Sequence, residues 1–134
     1  MTNILIADDH DLVRDTIAAY LETVDSFKVF TAHDLASALE VMSGVDSMDL
    51  LILDYNMPGM NGLQGLERAC TSYPATKVAL MSGVANREIA NNAMERNARG
   101  FIPKSLSANS FINAIKFILS GERYLPFDLV SSAP

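Results

Sequence analysis

An α/β domain, one parallel sheet with helices on both faces, is what this sequence predicts. Three observations carry the prediction. Leu50-Leu51-Ile52-Leu53 is an unbroken aliphatic run ending in Asp54. A strand buried on both faces reads this way, because a half-exposed one would alternate polar and apolar side chains. Ile4-Leu5-Ile6-Ala7 ends likewise in Asp8-Asp9. Strand and helix signals alternate five times along the chain, which implies parallel strands joined by right-handed helical crossovers.

The first strand is residues 4–7. From 11 to 24, Val13, Ile17, Tyr20, Leu21 and Val24 share one helical face, while Arg14, Asp15 and Glu22 point elsewhere. Residues 27–31 form a short strand. Asp34 then caps a helix carrying Leu35, Ala38, Leu39 and Met42 that ends near Gly44. The third strand is 50–53, and a helix over 62–72 follows, with Leu63, Leu66 and Cys70 inward and Pro74 beyond its end. Strand four covers 78–81. The helix over 86–97 is weakly specified: its apolar face is only Ile89, Ala90, Ala93 and Met94, and Asn91-Asn92 are poor helix formers. Residues 100–102 give the fifth strand. The last helix, 107–120, buries Phe111, Ile112, Ile115, Ile118 and Leu119, sets Phe117 almost opposite them, and is closed by Gly121.

At 134 residues the chain suits one domain with a core large enough to need no staples. A formal net charge of −6, with ten Lys and Arg spread along the length, opposes direct binding to nucleic acid. The single Cys70 cannot form an internal disulfide, which points to a reducing compartment, and it reads as a small buried hydrophobe. No apolar run approaches the ~18 residues of a membrane span. Asp8 and Asp9 interrupt the layout of a signal peptide. A cytoplasmic location without a membrane partner is expected.

In open parallel sheets ligands collect beyond the carboxyl ends of the strands, at the switch point in strand order. The residues there are Asp8, Asp9, Asp54, Ser82 and Lys104. Carboxylates so gathered repel, by roughly 4 kcal/mol for a pair 4 Å apart at an effective dielectric of ~20. Protonation or a hard divalent cation relieves this. Mg2+ takes oxygen ligands and commonly combines a couple of carboxylates with water and phosphate. The backbone carbonyl of Asn56, two residues beyond Asp54, can complete such a set. An Asp oxygen beside Mg2+ can attack a phosphoryl donor and form an acyl phosphate, a transfer that needs mainly positioning and charge neutralisation. Lys104, on an exposed stem, would supply fixed positive charge, and the Ser82 hydroxyl a hydrogen bond to a phosphoryl oxygen. His10 reads as a loop residue near the acids, and His33 as a loop residue with no role.

This set closely resembles the receiver domain of two-component response regulators. The resemblance rests on Asp8-Asp9 after strand one, Asp54 followed by Met57-Pro58 and Gly62, Ser82 followed by Gly83, and Lys104 after strand five, in the right order. It covers residues 1 to about 121 and implies a flavodoxin-like sheet in order 2-1-3-4-5. It also implies a phosphoacceptor at Asp54, Mg2+ held by Asp8, Asp9, Asp54 and the Asn56 carbonyl, and a sensor histidine kinase as donor. Phe101 would be the aromatic that swings inward as Ser82 moves toward the phosphoryl group. The chain would then be a phosphoacceptor signalling domain rather than an enzyme, able to promote its own phosphoryl transfer and slow dephosphorylation.

Asp8-Asp9-His10-Asp11-Leu12-Val13-Arg14 and Gly121-Glu122-Arg123-Tyr124-Leu125-Pro126 are similar to the LuxR/NarL-type subgroup. That subgroup implies a helix-turn-helix DNA-binding output domain in the full-length protein and is compatible with a homodimer. Residues 1–121 are then the receiver and 122–134 the start of a linker. One feature departs from the family: many receivers place Pro after the strand-five lysine, joined by a cis bond, whereas here Pro103 precedes Lys104 and Ser105 follows. A cis bond before a non-proline costs ~2.5–4 kcal/mol.

Three other functions compete. A small Mg2+-dependent hydrolase of the haloacid dehalogenase type wants a second acid two residues after its nucleophile, where this chain has Asn56. A flavodoxin-like cofactor carrier wants a Ser/Thr/Gly-rich loop after strand one, which is acidic here. A receiver-like interaction module that no longer reacts would not need the intact acid, hydroxyl and lysine set.

Overall fold

The computed structural model describes residues 1–84 and 86–126. Its elements are β1 (Thr2–Ala7), α1 (Asp11–Glu22), β2 (Phe27–Ala32), α2 (Leu35–Ser43), β3 (Leu50–Asp54), α3 (Gln64–Ser72), β4 (Lys77–Ser82), α4 (Arg87–Glu95), β5 (Gly100–Pro103) and α5 (Ala108–Leu119). The strands form one parallel sheet in the order β2-β1-β3-β4-β5. This is the order the family resemblance implied.

Side chains alternate between the two faces of each strand, and this divides the core in two. Leu5, Ala7, Leu51, Leu53, Val78, Leu80 and Phe101 join buried residues of α2, α3 and α4. Ile4, Ile6, Leu50, Ile52, Ala79, Met81 and Ile102 join those of α1 and α5. Every residue of β3 is buried, so its aliphatic run serves both halves. Side-chain caps start three helices: Asp34 accepts from the Ser37 N–H at 2.7 Å, Asn86 from Ile89 at 2.9 Å and Ser107 from Ser110 at 3.2 Å.

The element boundaries depart from the sequence expectation in a few places. α3 begins at Gln64 because Asn61 and Gly62 both adopt positive φ, which a right-handed helix cannot contain. Leu63 therefore stands at the N-cap, half-buried like Cys70, and the inward residues are Gly65, Leu66 and Ala69. α1 ends at Glu22, and Tyr20 is 36% exposed rather than inward. On α4 only Ala90 and Ala93 are fully inside, with Ile89 and Met94 half-buried, so its apolar face is as small as expected. Phe117 is exposed, as its helical angle implied. No peptide bond among the described residues is cis. Of the expected linker, 122–134, residues 127–134 lie outside the described residues.

After α5 the chain folds back onto the sheet. Tyr124 pairs in parallel with Gly100: its N–H donates to the Arg99 carbonyl at 2.9 Å, and its own carbonyl accepts from the Phe101 N–H at 3.0 Å. The Arg123 guanidinium donates to the carbonyls of Met94 and, at 3.0 Å, Ala98, below α4. Gly100 makes this approach possible, since a Cβ there would stand 2.7 Å from Ile118 Cδ1 and 3.3 Å from Tyr124 Cβ.

Gly65 is the tightest glycine with respect to backbone: an added Cβ would lie 2.9 Å from Met60 Cα and 3.1 Å from its carbonyl oxygen. Gly65→Ala is expected to lose about 1–3 kcal/mol, the usual cost of overpacking. Gly44→Ala, whose Cβ would meet nothing nearer than 3.7 Å, is expected to stay within about 0.5 kcal/mol of wild type. Urea unfolding of the two variants beside wild type measures both.

Candidate functional site

The site is assembled by strand register and parity. β1 and β3 are direct neighbours, with Ala7 opposite Leu53, so Asp8 and Asp54 leave the sheet side by side. The alternation that turns Ile4, Ile6, Leu50, Ile52 and Ile102 toward α1 and α5 gives Asp8, Asp54 and Lys104 the same parity. Lys104 starts from beyond β5, where its N–H donates to the Ser82 carbonyl at 2.9 Å. Its side chain then crosses the end of β4, and Gly83 leaves that path clear, the place of a Cβ there lying 3.9 Å from Lys104 Cδ.

The Lys104 ammonium lies 2.9 Å from Asp8 Oδ2 and 3.1 Å from Asp54 Oδ1. Asp8 is fully buried and Asp54 1% exposed, while Asp9 stands at the solvent boundary. The Lys104 side chain is only 13% exposed, which corrects the expectation of an exposed stem: reaching two buried acids takes the whole chain inside. Asp54 Oδ2 is buried and accepts no hydrogen bond from any described group.

These contacts push the three groups in different directions. Burial raises the pKa of Asp54 and the charge on Asp8 raises it further, so the pull of Lys104 does not restore the ordinary value. Burial also opposes ionisation of Asp8, but the His10 backbone N–H and the Lys104 ammonium outweigh it and hold that acid low. Burial works against the Lys104 charge, yet the two carboxylates prevail and raise its pKa.

The remaining expected residues sit around this centre. Asn56 is exposed in the turn after β3. That turn is pinned by the buried Met57 and Met60 and by the Leu35 N–H donating to the Pro58 carbonyl at 3.1 Å. Ser82 has the opposite parity to the acids and is engaged with the backbone of Val84, its hydroxyl donating to the carbonyl and accepting from the N–H, both at 3.1 Å. Phe101 is fully buried in the cluster with Ala90, Ala93 and Ala98. The aromatic expected to swing inward is therefore inside already.

His10, expected as a loop residue near the acids, is one, and it touches them directly. Its backbone N–H donates to Asp8 Oδ1 at 2.9 Å, and its ring Nδ1 lies 3.1 Å from the same oxygen and 3.4 Å from Asp9 Oδ1. The available signal was adjacency: a residue directly after two site acids is carried to the site by the backbone. Asp8, Asp9, His10 and Asp54 each offer one ligand atom, all within 4.8 Å of one another. The carboxylates are hard oxygen donors that suit Mg2+, and the unpartnered Asp54 Oδ2 is an acceptor in want of a positive partner.

Comparison with known proteins shows the family and the fold. Residues 4–116 match the response regulator receiver domain. The glycerol metabolism activator of Pseudomonas putida is 39% identical over 133 residues, covering 97% of this chain and 59% of that protein. A LuxR family DNA-binding response regulator from Silicibacter pomeroyi superposes with a TM-score of 0.84 at 35% identity, covering 96% of this chain and 99% of the other. The signal receiver domain of NarL from Mycobacterium tuberculosis gives a TM-score of 0.81 at 32% identity, covering 90% and 98%. The chain spans about three fifths of the length of the curated relatives it matches.

Asp54 binds its proton more tightly folded than unfolded, so its ionisation weakens the fold above that pKa and the loss is relieved as pH falls through it. Asp8 has the opposite sign: its contribution is present above the unfolded carboxylate pKa and is lost as pH falls through its lowered folded value. In metal-free buffer at neutral pH, Asp54→Asn is expected to gain about 1–3 kcal/mol, the scale of a buried group left unsatisfied. The gain should shrink as pH falls into the carboxylate range. Urea melts of both proteins across pH check it, and a variant less stable than wild type at neutral pH contradicts it.

Proposed function

As a chain that belongs to the response regulator receiver domain family, of the LuxR/NarL type, this protein is a signalling domain of two-component systems, and we propose that it is switched by phosphorylation of Asp54. The observation that carries this reading is the buried Asp54 carboxylate, with one oxygen against Lys104 and the other without a donor. An oxygen of that carboxylate attacks the phosphorus of a phosphohistidine on a sensor histidine kinase. The new P–O bond forms as the P–N bond breaks, and the departing histidine nitrogen keeps the electron pair. The product is an acyl phosphate.

Lys104 holds Asp54 oriented and offers fixed positive charge to the arriving phosphoryl oxygens. Asp8, Asp9, Asp54 and the Asn56 carbonyl would hold Mg2+, which supplies charge neutralisation during transfer. Ser82 reaches a phosphoryl oxygen only by giving up its two contacts with Val84. The start of α4 then has to follow, and α4 is held by just two fully buried alanines. Phe101, beside those alanines, senses the shift. Residues 1–121 carry this switch, and residues 122–134 begin the connection to a helix-turn-helix DNA-binding domain of the full-length protein. Nucleic acid is contacted by that output domain and not by this acidic chain. Homodimerisation is the natural way for such an output to meet paired DNA half-sites. The site of action is the cytoplasm.

Acetyl phosphate with Mg2+ is expected to add one phosphoryl group to the wild-type chain, read by intact mass. The gain should vanish in EDTA and in Asp54→Asn. Phosphorylation that persists in Asp54→Asn would show that another residue is the acceptor.

Hydrogen exchange with and without beryllofluoride is expected to differ most across residues 82–104, with little change in 50–53. A weakly packed helix next to the hydroxyl residue is where a switch costs least. A change confined to α1, or spread evenly over the chain, would place the readout elsewhere.

A further inference from the structure

We propose that His10 is itself a ligand of the divalent cation, so that this site is a mixed nitrogen–oxygen centre favouring Mn2+ over Mg2+. The inference rests on the divalent-cation reading above and deepens it.

Geometry gives the first reason. Ligands about 2.1 Å from an octahedral ion stand about 3.0 Å apart when cis and about 4.2 Å when trans. His10 Nδ1 lies 3.1 Å from Asp8 Oδ1, 3.4 Å from Asp9 Oδ1 and 4.0 Å from Asp54 Oδ2. All three separations fall within the span that two ligands of one such ion can take. An ion bound by the three carboxylates therefore meets the imidazole nitrogen without any large rearrangement of the ring.

Preorganisation gives the second. The His10 N–H is bonded to Asp8 Oδ1, so one carboxylate fixes both the backbone and the ring of the same residue. His10 is 61% exposed on its side chain, which leaves the approach from solvent open. Asp54 Oδ2, buried and without a hydrogen-bond donor, faces this nitrogen across the site. With the three carboxylates ionised, Lys104 charged and the ligating imidazole neutral, the site sums to −2, the charge that a divalent cation cancels.

Chemistry sets the preference. Carboxylate and carbonyl oxygens suit Mg2+ and Mn2+ alike, and an imidazole adds affinity along the first-row divalent series, of which Mn2+ is the weakest member and Mg2+ no member. A nitrogen at this position helps Mn2+ and contributes little to Mg2+, which dehydrates reluctantly and keeps its waters. The competing account of the same distances is plain hydrogen bonding of the ring nitrogen, to Asp8 Oδ1 at 3.1 Å and to the Lys104 ammonium at 3.5 Å, with no metal role.

The test uses the whole chain stripped of metal and loaded with Mn2+ alone. Pulsed electron paramagnetic resonance is expected to show a directly coordinated imidazole 14N in wild type. The coupling should disappear in His10→Ala and His10→Gln. Free Mn2+ measured by its resonance signal should reveal ~10-fold or greater loss of affinity in both variants. Mg2+ affinity, measured by competition, should change by less than about twofold. Mn2+ bound to wild type without nitrogen coupling, and equally tightly by the variants, overturns the His10 proposal while the acid site stands. Failure of wild type to bind either ion overturns both.

Discussion

Two buried carboxylates placed side by side by neighbouring strands, with one ammonium to share, is the constraint on which the rest depends. Asp8 and Asp54 are neighbours because β1 and β3 pair directly. A like-charged pair in a poorly hydrated setting is unfavourable, so Lys104 is drawn across β4 to reach both. That demand accounts for the buried lysine stem and the opposite shifts of the two acids. Lys104 is shared between the two acids, and Asp8 alone gains a backbone donor in addition, the N–H of His10.

Strand parity then separates the acid proposed to react from the residues that would report on it. Asp54 and Lys104 lie on the α1/α5 side, whereas Ser82 follows Val78 and Leu80 to the other side and binds the backbone of its own loop. Communication between them must cross the sheet at the carboxyl end of β4. The segment waiting there, α4, presents alanines where α5 presents Phe111, Ile115 and Ile118. Packing strength is thus distributed unevenly around one sheet, with the firm helices behind the site and the loosely held one ahead of it.

Much of this was legible in the sequence, because strands buried on both faces have an unmistakable composition and their ends can be collected into one site without knowing any side-chain geometry. Asp8, Asp54 and Lys104 were found that way. What escaped depends on conformation that periodicity does not encode. The start of α3 is displaced by positive φ at Asn61 and Gly62. Lys104 is buried because of what it reaches for, not because of its own hydropathy. His10 is brought in by a local turn that carries a loop residue back over the acid before it, and Phe101 is inside because small α4 residues leave it room.

The short return of the chain after α5 has a consequence for how these molecules treat one another. An open sheet ends in two strands whose outer N–H and C=O groups invite another chain to add. On one flank β2 carries the exposed Lys28, its ammonium 5.3 Å over the Phe30 ring, and a charge there discourages a second strand. On the other flank β5 has little charge to offer, and Tyr124 instead occupies the partners that a foreign strand would use, on Arg99 and Phe101. The molecule thus covers part of the β5 edge with a piece of itself, and a chain cut before Tyr124 would offer those two groups to another strand.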